Sequence, residues 1–132
     1  MNTYLIIANI LTGLAFLAHT FQGDKELEVI GIKNQEDNWA NKQEKWTMAR
    51  CGWHWVSFDL LMATVGLSVI NFTDWITQEL LLVKLLSVYF AGYAVFWIIT
   101  LLISQSFPKK YLKLGQWILL LVISGLLYLG LG

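Results

Sequence analysis

Four stretches of this chain stay largely apolar for about twenty residues or more, and nothing else in the sequence constrains the fold as tightly. They are about Thr3 to Phe21, Met48 to Phe72, Ile76 to Ser104 and Tyr111 to Leu131. An α-helix of roughly 20 apolar residues crosses the hydrocarbon of a bilayer. Backbone polar groups in lipid must be satisfied within the spanning segment, which favours helices. A transmembrane barrel would show alternating polar and apolar positions. Runs such as QWILLLVISGLLYLGL do not alternate. The expected fold is therefore an all-α integral membrane protein. Residues 1–132 form a single domain, an up-down bundle of four transmembrane helices.

Composition supports that expectation. Of 132 residues, 57% are hydrophobic and 14% charged. A water-soluble domain of this size has too much surface for such a mixture. The first stretch has no Lys or Arg ahead of its apolar run. Its far edge, LAHTF, lacks the small residues of a cleavage site, so it reads as a retained span rather than a signal peptide. A single cysteine, Cys51, excludes an intramolecular disulfide and a Cys-based metal cluster. Zero net charge and no basic patch exclude nucleic acid as a partner. The bilayer is the first partner, and a second copy or another membrane protein is the next.

Charge placement sets the orientation. The link of about residues 23–47 carries Lys25, Lys33, Lys42 and Lys45, with Arg50 just beyond. The link SQSFPKKYLK carries Lys109, Lys110 and Lys113, and NFTDWITQE carries no Lys or Arg. The positive-inside rule puts the first and third links in the cytoplasm and both termini outside, in a bacterial-type inner membrane. The stretch NQEDNW predicts a helix start capped by Asp37 or Asn38. Trp39, Trp46 and Trp53 recur every seven residues, one stripe on a helix, set against headgroups or a neighbouring helix.

Ionisable residues inside a membrane are functional candidates by default. Within the apolar cores these are Asp59 and Lys84. Lys84 can snorkel to the outer surface or reach inward toward Asp59. Asp59 could anchor a small transporter or channel, or serve as a hydrogen-bonded structural residue. The two histidines of the chain, His19 and His54, both fall near the cytoplasmic ends of antiparallel spans. Two helical histidines on neighbouring helices are the minimum geometry for axial ligation of a haem b. They could equally hold a divalent metal with Glu26, aided by Asp24 or Cys51. The bland alternative is a pair of interfacial histidines hydrogen-bonded between helices. No nucleophile elbow, phosphate loop or other catalytic set is present, so an enzyme is not expected.

The pattern His19-x-x-x-Gly23-Asp24-Lys25-Glu26 after the first span, then Trp53-His54-x-x-Ser57-Phe58 opening the second, resembles an uncharacterised group of small four-span bacterial membrane proteins. That resemblance implies that His19 and His54 belong together, and it implies nothing about substrate or reaction. The functional expectation is a small inner-membrane protein acting through helix contacts, as an accessory subunit or interaction module. A haem- or metal-binding redox protein is the alternative, and a transporter built around Asp59 is the third reading.

Overall fold

The computed structural model describes residues 2–30, 42–104 and 108–132. Every regular element among them is a helix. In order these are α1 (Thr3–Leu17), a π-helical turn (Ala18–Gly23), α2 (Asp24–Ile30), α3 (Lys42–Phe72), α4 (Glu79–Ile103), α5 (Lys110–Lys113) and α6 (Gln116–Leu129). The cap expected at Asp37 or Asn38, Trp39 of the tryptophan stripe and Lys33 lie outside the described residues.

Among the described residues, three helices are long and apolar enough to cross a membrane: Thr3–Glu28, Glu44–Phe72 and Glu79–Ile103. Two of the expected spans are thus continued by helix on the polar side, past Phe21 and back before Met48. The fourth stretch differs from a continuous span. It breaks at Leu114 and Gly115 into the short α5 and the 14-residue α6. At a rise of 1.5 Å per residue α6 is about 21 Å long.

Residue contacts divide the chain into two compact units, residues 1–9 with 66–132, and residues 10–65. In the first unit the core is a helical hairpin of α4 and α6. Val83, Ser87, Phe90, Ala94 and Leu101 are buried along α4, and Ile123, Ser124 and Leu127 along α6. Spacings of three, four and seven residues keep the α4 set on one helix face. Ser87 Oγ donates to Ser124 O at 2.9 Å, and Ser124 Oγ donates back to Ser87 O at 2.7 Å. Small hydroxyl residues let membrane helices approach closely and bond across the gap. Further along, Trp97 Nε1 donates to Leu114 O at 3.0 Å and Lys110 Nζ to Leu101 O at 2.6 Å. Each step forward on α4 is matched by an equal step backward on the other strand of the hairpin, which defines an antiparallel register.

The N-terminus is held in the same unit. Asn2 Nδ2 donates to Gly130 O at 2.9 Å, and Asn71 Nδ2 to Leu5 O at 3.2 Å. A Cβ at Gly130 would overlap the Leu5 side chain, so any larger residue there requires Leu5 to shift. Asn9 Nδ2 donates to Ser68 Oγ at 2.9 Å. Much of the remaining apolar surface faces outward, including Leu14, Phe58, Met62, Val88 and Phe96. Such exposure suits lipid or another helix, and is foreign to a water-facing monomer surface.

Candidate functional site

In the unit of residues 10–65, α1 and its continuation run antiparallel to the first half of α3, and the two quoted motifs meet. The π-helical turn places His19 and Gly23 against α3. A π turn bonds i to i+5 in place of i to i+4, and such turns recur at functional sites. The His19 ring stacks on Trp53 with centroids 4.0 Å apart and planes 7° from parallel. Trp53 Nε1 donates to His19 O at 3.0 Å. In return His19 Nε2 stands 3.1 Å from Trp53 O. A carbonyl oxygen only accepts, so this contact assigns the imidazole proton to Nε2. Each residue therefore bonds to the other's backbone while the rings lie face to face.

Gly23 makes this possible. It is buried, and a Cβ at that position would overlap the Trp53 ring. The glycine admits the indole to the helix backbone, which is why the motif needs Gly one turn beyond His19. Gly13 meets Thr64 less tightly, with a Cβ contact of 3.4 Å to Thr64 Cγ2.

A charged cluster follows directly. Arg50 Nε donates to Asp24 Oδ1 at 2.7 Å and Nη2 to Asp24 Oδ2 at 2.6 Å, a two-pronged pair. Arg50 Nη2 also reaches Glu28 Oε1 at 3.0 Å. His54 Nε2 lies 3.3 Å from Asp24 Oδ1. Asp24 is thus shared between Arg50 and His54, two residues one turn apart on α3. The Arg50 guanidinium sits 5.4 Å from the centre of the Trp46 ring, and Trp46 Nε1 donates to Leu27 O at 3.4 Å. Trp46 and Trp53 accordingly lie against the neighbouring helix, one of the two settings expected for the tryptophan stripe.

The histidines meet the same cluster through different partners. His19 is half-buried on Trp53, and His54, 45% exposed, is beside Asp24. Glu26 is exposed on α2 and Cys51 is exposed on α3. Among the described residues no group of three or more His, Cys, Asp and Glu side chains is arranged to hold a metal ion. Ligation of haem iron or a metal through His19 Nε2 would require that nitrogen to give up its proton and its bond to Trp53 O. Asp59 is half-buried within residues 10–65, whereas Lys84 is exposed and belongs to the other unit.

The sequence assigns Arg50 no pairing role beyond a basic flank and a neighbour of Cys51. A signal was present. Arg50, Trp53 and His54 are spaced three and four apart, so they share one helix face. Gly23 and Asp24 offer that face a gap and a counter-charge. Ser57, from the same motif, is buried, and among the described residues its hydroxyl and that of Thr20 have no hydrogen-bond partner.

The other unit carries a pocket of about 530 Å³ lined by Asn2, Leu5, Asn71, Asp74 and Glu79 among others. Its two amides are already engaged as backbone clamps. Comparison of this chain with protein-family models, with curated proteins and with solved structures finds no match.

Proposed function

We propose that this chain is a small integral protein of a bacterial-type inner membrane that acts through helix contacts, as an accessory subunit or interaction module. The observation that carries this reading is the mutual clamp of His19 and Trp53. The side-chain N–H groups of His19 and Trp53 hold one helix to another. The exposed apolar faces of α3 and α4 then supply the surface for lipid, a second copy or a membrane-protein partner. In this reading the chain crosses the membrane four times, with both termini outside the cytoplasm. The short α6 makes the fourth crossing, and local bilayer thinning accommodates a span shorter than the hydrocarbon core of about 30 Å.

Crosslinking in native membranes, followed by native gels, tests the reading. Self-association or capture of one defined membrane partner is expected. A chain that stays monomeric and captures nothing would sink it. Cysteine-accessibility labelling at the two termini tests the orientation separately.

A second reading is haem b or a divalent metal held by His19 and His54. It draws on Asp24, which stands beside His54 and follows His19 by five residues. It predicts a cofactor lost in His19→Ala and in His54→Ala. Full retention in both variants removes it.

A further inference from the structure

We propose that Lys109 and Lys113 bind the phosphate of an anionic phospholipid headgroup, with Leu112 between them in sequence entering the upper acyl region. The inference rests on the membrane reading above and is independent of the helix-contact role.

Charge balance singles out this turn of the chain. Residues 80–132 contain no Asp or Glu. The link of residues 23–47 differs, because its four lysines face six acids, Asp24, Glu26, Glu28, Glu36, Asp37 and Glu44. Positive charge around α5 has no acidic residue within residues 80–132 to balance it.

Geometry then divides the three lysines. Lys110 is committed. Its Nζ donates to Leu101 O at 2.6 Å and lies 3.5 Å from Ser104 O, so it caps the carbonyl end of α4. Lys109 and Lys113 are exposed, and neither makes an ion pair among the described residues. Lys113 N donates to Lys109 O at 2.9 Å, so the two backbones are one turn apart. Like charges at that spacing repel, and an anion between them relieves the repulsion. Lys109 sits in the left-handed region at φ 58, a conformation that costs free energy for a side chain with a Cβ.

Apolar groups accompany the charge. Leu112 is 73% exposed, and Tyr111 is exposed beside it. Leu112 N donates to Lys109 O at 3.0 Å, so the exposed leucine lies within one turn of that lysine's backbone. Indole N–H groups also mark this level, since Trp97 Nε1 bonds Leu114 O and Trp117 Nε1 bonds Tyr111 O. Trp at a membrane–water boundary behaves in this way. Clustered Lys beside a span recognises anionic headgroups, and the neighbouring apolar side chain favours a lipid over a free anion.

The test is thermal unfolding of the purified full chain in a neutral detergent. Phosphatidylglycerol, phosphatidylcholine and inorganic phosphate are titrated in turn. Phosphatidylglycerol is expected to raise the unfolding midpoint, and the other two are expected to leave it unchanged. Lys109→Gln with Lys113→Gln should weaken the phosphatidylglycerol response roughly 30-fold, from about fivefold per lysine near a charged surface. Lys25→Gln with Lys45→Gln should leave it intact. An equal shift with phosphatidylcholine overturns the proposal, as does a full shift with inorganic phosphate or an unchanged response in the Lys109/Lys113 variant. Mass spectrometry of co-purifying lipid gives a second readout should the Gln variant unfold. Enrichment of phosphatidylglycerol is expected in wild type and in Lys109→Arg with Lys113→Arg, and its absence in wild type overturns the proposal. A chain that stays soluble without detergent would instead sink the membrane reading.

Discussion

His19 and Trp53 grip each other by ring and by backbone, with stacked rings 4.0 Å apart and each side chain's N–H directed at the other residue's carbonyl. The contact joins two helices thirty-four residues apart in the chain. It gives the motif His19-x-x-x-Gly23 a physical meaning, since the glycine is the opening through which the indole enters.

Gly23→Ala is therefore expected to destabilise the protein by about 1–3 kcal/mol, the usual range for forcing a methyl into a packed site. Gly52→Ala, where an added Cβ meets nothing within 4 Å, should be neutral or slightly stabilising. Chemical denaturation in detergent, followed by Trp fluorescence, separates the two. Equal effects would mean that the close approach of Trp53 to Gly23 does not limit stability.

Removing the indole N–H while keeping a ring isolates the hydrogen bond. Trp53→Phe retains a stacking surface and loses the donor to His19 O. A cost of roughly 0.5–1.5 kcal/mol is expected for one such bond, with the larger figure if the carbonyl finds no other donor. Trp53→Ala should cost more, because the stack goes too. The same denaturation measurement checks both variants.

Asp24 and Glu28 share Arg50 unequally. Asp24 takes two bonds and is 21% exposed, and Glu28 takes one and is 58% exposed. Asp24→Asn should lower the thermal midpoint more than Glu28→Gln. The difference should persist or widen at high salt, because screening weakens the more exposed Glu28 pair most. The charge reversal Asp24→Arg with Arg50→Asp should recover part of the loss. No recovery, with equal single-variant effects, would show that the pair is incidental.

Ser87 and Ser124 bond reciprocally at the centre of the α4–α6 hairpin. Ser87→Ala and Ser124→Ala should each cost about 0.6–2 kcal/mol, the measured scale for interhelical hydrogen bonds in membranes. The double variant should cost less than the sum, because each single change already breaks part of the reciprocal pair. A double-variant cycle on unfolding free energy reads this directly.

An absorption spectrum of the purified chain, oxidised and then reduced with dithionite, distinguishes the clamp from a cofactor site. In the helix-contact reading only Trp and Tyr absorb, and His19→Ala changes stability without changing the visible spectrum. A Soret band lost in His19→Ala and His54→Ala would favour haem instead.

The helical class and the three long apolar helices were legible from local properties, because the length and polarity of a run decide whether a helix can sit in lipid. Those properties need no knowledge of neighbours. The pairing of His19 with Trp53 was not legible. A regular 100° wheel carries no π turn, and Ala18–Gly23 adopts one. The roles of Arg50 and Gly23 likewise depend on which helix faces which. The break of the fourth stretch at Leu114 and Gly115 accompanies the Trp97 bond to Leu114 O, a contact made across the hairpin. Sequence by itself determined what can dissolve in a bilayer, since hydropathy adds up residue by residue along one segment. Only the tertiary structure decided which polar groups close on one another, since hydrogen bonds and ring stacks depend on distances between segments that are remote in the chain.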